Sequence, residues 1–260
     1  MPEFSEVRLM AEYITDVNKS RHIVEVETLK SNKLKLIEGI DVVGKKLSAT
    51  SRGKELKLHI GETDVVITLG MSGGFKNFNV ARDDTDKYWK HSHLRFKMSD
   101  GEWFNWVDVR RFGKSLGLDW GVMRGPDMFN DTEGFIRNIL DNLNHKDFNK
   151  PTYEVLMDQY WFNGVGNYLR AEILGKWGCN PFQPIRNILT EDFLKHLIQQ
   201  VRESYILGGG TKYNWKPTDV NSRLNWNTWI QYYGKGEHIV DKQKRTFWFD
   251  KKWLDKIESL

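Results

Sequence analysis

The chain has 260 residues, of which 39% are hydrophobic and 28% charged, with a formal net charge of +4 and a sequence pI of about 8.9. This composition fits a soluble globular protein with one large or two modest cores, and it permits a polyanionic partner without demanding one. A lone cysteine, Cys179, excludes an internal disulfide or a multi-cysteine zinc site, no signal peptide is legible and no apolar run approaches the ~18 residues of a membrane helix, so a reducing, intracellular setting is expected.

The chain opens Met1-Pro2-Glu3-Phe4-Ser5-Glu6. Apolar Val7, Met10, Ile14 and Val17 follow at helical spacing. They predict a helix with Pro2 at its first position and acids in its first turn. The same residues carry a second reading. Removal of Met1 leaves Pro2 with a secondary α-amine, which titrates roughly 2.5 units below a lysine. Such an amine attacks carbonyl-type carbons and passes directly to an iminium. Glu3 and Glu6 are nearby carboxylates for proton transfer.

Strands come next. Leu56, Leu58 and Ile60 alternate with Glu55, Lys57 and His59, Val65-Val66-Ile67 is a short buried run, and Leu94 and Phe96 alternate with Arg95 and Lys97. Asp100-Gly101 reads as a hairpin turn. Residues 121–130, containing Gly125-Pro126-Asp127, read as a linker. Beyond it the period is helical. Phe135, Ile136, Ile139 and Leu140 mark one helix, Pro151 opens a second with Val155 and Leu156, and Asn167–Trp177 is a third. Thr190 caps a fourth, with Phe193, Leu194, Leu197 and Ile198 on its apolar side, and Gly208-Gly209-Gly210 ends it. Residues 226–253 are aromatic and short-stranded, which suggests a small hairpin module.

Four segments carry chemistry. In Phe162-Asn163-Gly164-Val165-Gly166-Asn167-Tyr168, two glycines join two helices. Either Gly164 and Gly166 let the turn grip a nucleic-acid phosphate at the next helix start, or they make the corner of a plain helical hairpin. In Ser51-Arg52-Gly53-Lys54, Lys54 is a phosphate ligand, part of a catalytic centre, or a solvated loop lysine. Leu69-Gly70-Met71-Ser72-Gly73 and Asp108-Val109-Arg110-Arg111-Phe112-Gly113 put large side chains on glycine-bounded turns. Enzymes that flip a base fill the vacated space with apolar or planar groups, a task that suits Met71, Arg110 and Phe112. The alternative makes Met71 and Phe112 core residues and the arginines surface charges. In Lys244-Arg245-Thr246-Phe247-Trp248-Phe249, Arg245 is suited to bidentate phosphate contact, and the aromatic run suits a small core.

In this order, over nearly the whole chain, these segments resemble the formamidopyrimidine-DNA glycosylase/endonuclease VIII family. PEFSE is similar to its Pro-Glu-Gly-Pro-Glu start, RGKEL to its lysine turn, LGMSG and DVRRFG to its intercalation turns, DQYWFNGVGNYLRAEIL to its helix–two-turn–helix motif, and KRTFWF to its terminal arginine strand. Phe4 and Ser5 depart from Gly-Pro, Val109 from a common proline, and Thr68 from the histidine of many bacterial members. The four finger cysteines are absent, so the chain resembles the zincless-finger endonuclease VIII-like branch, with Phe247, Trp248, Tyr232 and Tyr233 packing in place of zinc. His91-Ser92-His93 offers two nitrogens and no further ligands, so no metal and no cofactor are expected.

The resemblance implies an α+β multidomain fold. An N-terminal β-sandwich with an N-terminal helix (1–120) precedes a linker (121–130), a helix–two-turn–helix domain (131–222) and a zincless β-hairpin finger (223–260), with DNA lying across the cleft between the domains. It implies a monomeric, bifunctional DNA glycosylase and abasic-site lyase of base excision repair. Its partner is damaged duplex DNA, with single-stranded DNA as an alternative. Oxidised pyrimidines and ring-opened purines are the expected lesions, removed by β,δ-elimination through a Pro2 Schiff base. Pro2, Glu3, Glu6 and Lys54 are then catalytic. Asn167, Arg245, Gly164 and Gly166 bind phosphate, with Lys54 also touching one, and Met71, Arg110 and Phe112 fill the void. Residues 211–223 are expected as a loop that separates lesion classes. The alternatives are an 8-oxoguanine-directed enzyme, a non-catalytic binder of damaged DNA, or an unrelated basic module.

Overall fold

A computed structural model describes residues 2–28, 41–79, 88–210 and 220–258. The chain divides into two compact units. One holds Pro2 and Glu6–Val122, and the other holds Glu3–Ser5, Met123–Gly210 and residues 220–258.

The first unit contains most of helix α1 (Phe4–Asn18) and strands β1 (Ile23–Thr28), β2 (Leu47–Arg52), β3 (Glu55–Ile60), β4 (Thr63–Thr68), β5 (Gly73–Phe78), β6 (Ser92–Met98), β7 (Trp103–Asp108) and β8 (Lys114–Gly117). They form two antiparallel sheets, ordered β1-β6-β7-β5 and β2-β3-β4-β8. The alternation of β3 buries Leu56, Leu58 and Ile60. They join Ile67, Phe75, Leu94, Phe96 and Phe104 in one core that α1 completes with Val7, Met10 and Ile14. The shared core makes this unit a β-sandwich with an N-terminal helix. The hairpin at Asp100-Gly101 joins β6 to β7. Pro2 stands two residues ahead of α1 rather than at its first position. Residues 3–5 belong to the second unit, where Glu3 and Phe4 bond to residues 164–169.

The second unit packs α2 (Thr132–Leu140), α3 (Thr152–Val155), α4 (Asn167–Trp177), α5 (Glu191–Ile206), α6 (Val220–Trp229) and the hairpin of β9 (Glu237–Val240) with β10 (Thr246–Phe249) around a separate core. Asp131 caps α2, and the Thr190 hydroxyl caps α5 by accepting the Phe193 N–H at 3.2 Å. Pro151 is the residue before α3, which is a single turn. The stretch read as a linker is partly anchored: Asp127 and Met128 are buried, and Gly125 N–H bonds to the Gln159 carbonyl. Of the segment expected as a loop, residues 211–219 lie outside the described residues, while 220–223 begin α6. No strong apolar period announces that helix. It is held by Trp226 and Trp229, which pack on Tyr168 with ring centroids at 5.3 and 6.4 Å.

Candidate active site

From Tyr168 to Gly175 helix α4 is buried on every side, including the charged Arg170 and Glu172. Its N-cap is Gly166, which has no side chain to bind the first N–H groups. Glu3 does so instead. Its buried carboxylate accepts the Tyr168 N–H through Oε1 at 3.0 Å and the Leu169 N–H through Oε2 at 3.1 Å. The anion at this helix start is therefore the chain's own glutamate, placed where the helix dipole favours negative charge.

The two glycines of the turn follow from this seat. A Cβ on Gly166 would lie 2.2 Å from the Glu3 carboxyl carbon. A Cβ on Gly164, whose φ is +107°, would lie 2.5 Å from Phe4 Cδ2. Phe4 N–H bonds to the Gly164 carbonyl at 3.0 Å, and its ring packs in the second core, 4.5 Å from that of Phe129. Ser5 Oγ hydrogen-bonds Ser204 Oγ. Phe4 and Ser5, the two departures from the family's start, are thus both built into the packing. Pro2 is one peptide bond from Glu3 and is buried, and Glu6 is buried in the first turn of α1.

Lys54 occupies the two-residue turn Gly53-Lys54 between β2 and β3. The flanks of that turn are tied down. Arg52 pairs with the fully buried Glu55 at 2.9 Å, and Arg52 Nη2 donates to the Gly121 carbonyl at 2.5 Å. Gly121 N–H returns a bond to Glu55 Oε1 at 3.2 Å, and Arg52 and Lys57 both face the Trp120 ring.

Met71 and Phe112 are 41% and 47% exposed, so neither is a core residue. Arg110 is exposed as well, with its guanidinium 5.0 Å from the Phe112 ring centroid. All three stand on turns of the first unit, 69–73 and 109–113.

Arg245 ends the loop between β9 and β10. Its N–H bonds to Asp241 Oδ1, and its guanidinium makes no hydrogen bond or ion pair among the described residues. Asn167 donates from Nδ2 to the Thr246 carbonyl at 2.8 Å and accepts from Arg170 Nη2 at 2.6 Å. One of its two amide N–H donors is therefore committed to β10. Two residues that sequence reasoning missed hold this region. Arg170 forms a buried ion pair with Asp241 at 2.9 Å and lies 4.9 Å from the Phe247 ring centroid. Glu172 accepts the N–H groups of Gln231, Tyr232 and Tyr233 at 2.8–2.9 Å. The available signal was a pair of charges in the apolar run YLRAEIL. Phe247 is fully buried and stacks on Tyr153, and Tyr233 meets Trp248 edge-on at 4.7 Å. Burial draws the Arg170 guanidinium down from its ordinary value. Burial also pushes Asp241 up, but the N–H groups of Arg245 and Gln243 and the Arg170 charge outweigh it and hold the carboxyl below the usual range. His93 Nε2 bonds to the Asp108 carbonyl, and among the described residues no group of three His, Cys, Asp or Glu is placed to hold a metal.

Residues 1–115 match the family described as formamidopyrimidine-DNA glycosylase N-terminal domain. Endonuclease 8-like 1 of Homo sapiens is 30% identical over 290 residues, covering 96% of this chain and 72% of that protein. Endonuclease 8-like 1 of Mus musculus is 33% identical over 221 residues, covering 78% of this chain and 53% of that protein. The crystal structure of the Lactococcus lactis Fpg with an abasic site containing DNA has a TM-score of 0.74 at 20% identity, over 95% of this chain and 97% of that one, a likeness of fold.

Proposed function

The chain belongs to the formamidopyrimidine-DNA glycosylase/endonuclease VIII family, and on that premise we propose that it is a DNA glycosylase of base excision repair that also cleaves the strand as an abasic-site lyase. The observation that carries the reading is the seat of Glu3. A buried carboxylate, adjacent in sequence to Pro2, is held by two backbone N–H groups at the start of α4. A carboxylate fixed this way is pre-positioned for proton transfer next to an amine nucleophile.

With Met1 removed, the Pro2 nitrogen bonds to C1′ as the glycosidic bond breaks. The base leaves with that electron pair and takes up a proton. The proton shed by the Pro2 nitrogen passes to the Glu3 carboxylate and from it to O4′ as the C1′–O4′ bond breaks, which leaves an iminium at C1′. The iminium acidifies the C2′ hydrogen, whose loss expels the 3′ phosphate. A second elimination expels the 5′ phosphate, and water then hydrolyses the iminium and returns Pro2. Glu6 orients the helix start and the sugar pocket. Lys54, Asn167 and Arg245 hold phosphates, and their positive partial charge stabilises charge developing on the leaving groups. Gly164 and Gly166 contribute through the shape of the turn. Met71, Arg110 and Phe112 fill the space left by the flipped nucleotide. Oxidised pyrimidines and ring-opened purines are the proposed lesions.

A borohydride trap tests this. Protein whose N-terminus is verified by mass spectrometry is reduced with a duplex carrying one abasic site, and the adduct is mapped. A crosslink at Pro2 is expected. Absence of a crosslink, with DNA bound and Pro2 exposed by processing, would retire the lyase reading. Full activity in protein that retains Met1 would retire Pro2.

A further inference from the structure

Asp108 is the last residue of β7, paired with Gly73 at the start of β5, and β8 begins six residues later. Its carboxylate is buried where these strand ends meet. We infer that Asp108 and Ser72 are positioning residues that lock the turns 69–73 and 109–113 into one pre-shaped element. The inference deepens, and rests on, the proposal that Met71, Arg110 and Phe112 enter the DNA stack.

Three sets of bonds make the lock. Ser72 Oγ donates to Asp108 Oδ1 at 2.6 Å and accepts the Arg110 N–H at 3.0 Å. Asp108 Oδ2 accepts the Gly113 N–H at 2.7 Å. The Asp108 carbonyl accepts the Arg111 N–H at 3.3 Å and bonds to His93 Nε2 at 2.8 Å. Asp108 Oδ1 also accepts the Arg110 N–H at 3.3 Å, so one carboxylate reaches the first turn through Ser72 and the second through Arg110 and Gly113.

The two backbones also touch. A Cβ on Gly70 would lie 2.5 Å from the Phe112 carbonyl carbon and 2.6 Å from the Gly113 nitrogen, so only glycine admits this approach. Arg111 sits at a φ of +55°, a left-handed conformation that non-glycine residues adopt only when their surroundings enforce it. The side chains carried by the two turns therefore stand on a single scaffold. Their backbone entropy is lost in folding rather than on binding, which favours joint insertion.

Ser72→Ala tests the lock without removing the buried carboxylate. Because Ser72 contacts Arg110 and not Gly113, amide hydrogen exchange at Gly113 is the discriminating readout. Coupled turns predict faster exchange at both Arg110 and Gly113 in Ser72→Ala, reversed in Ser72→Thr. Faster exchange at Arg110 alone would overturn the inference. In single-turnover excision from a damaged duplex, Ser72→Ala and Phe112→Ala are each expected to lose about ten-fold, and the double variant no more than the worse single one. Losses that multiply to about a hundred-fold would mean independent turns and would also overturn it. If Met71→Ala and Phe112→Ala leave excision unchanged while both amides still exchange faster, the void-filling reading falls and the locked element stands.

Discussion

Glu3 joins an observed structural role, the cap of α4, to a proposed chemical one. As the cap of α4 it is worth roughly 0.5–2 kcal/mol, the usual range for a capping group with a favourable dipole. As the proposed proton carrier it affects base excision by about 10²–10⁴. Glu3→Gln keeps an acceptor for one N–H and loses the charge. It is expected to lower the melting temperature slightly and to lower base excision far more than cleavage of a preformed abasic site. Equal losses on intact lesions and abasic sites, measured in single turnover, would argue against the proton role. Phe4 shows how a departure from the family's pattern is absorbed, since its ring fills part of the second core and its backbone bonds to Gly164.

Among the elements, the turn between Trp161 and α4 illustrates close approach. Gly166→Ala must displace Glu3, because the new methyl would overlap its carboxyl group. The expected outcome is loss of the cap together with the excision defect of Glu3→Gln, and a double variant no worse than either single one, checked by thermal denaturation and by excision rates. The β9–β10 hairpin depends on a different device. Arg170 and Asp241 form a buried pair, and removing one partner strands the other. Arg170→Ala is therefore expected to cost about 3–5 kcal/mol in urea denaturation. Because the same pair helps to place Arg245 and Asn167, the proposed phosphate contacts predict weaker DNA binding in this variant as well. A variant as stable as the parent would show that the ion pair is not what holds the hairpin.

For the whole molecule, pH acts through groups whose folded values are displaced. Burial lowers the imidazole of His196 against its hydrogen bond to the Ile173 carbonyl, and burial lowers His91 as well. The unfolded chain then binds these protons more readily, so stability falls as pH drops through about 6.5. Asp64, Asp100, Asp147 and Asp241 are held below the usual carboxylate value. The stability they contribute is present above about pH 4 and lost as pH falls through their depressed folded values. Urea midpoints measured from pH 8 to 3 should therefore decline in two stages. His196→Gln should flatten part of the first, and an unchanged profile in that variant would remove His196 from the account.

Local pattern determined a good deal of this protein. The alternation at Leu56, Leu58 and Ile60 and the cap at Thr190 depend on neighbours within a few residues, and the sequence carries those neighbours. The ordered motifs likewise marked the family. Only the tertiary structure decided that the carboxylate at position 3 caps a helix 165 residues away, and that Gly164 and Gly166 are glycine because residues 3 and 4 pass so close. It alone revealed α6, whose tryptophans are ordered by Tyr168, and the pairing of Arg170 with Asp241. These features rest on burial and on contacts between distant segments. Periodicity and propensity act over a turn or two of chain and carry no information about which distant group will be brought alongside.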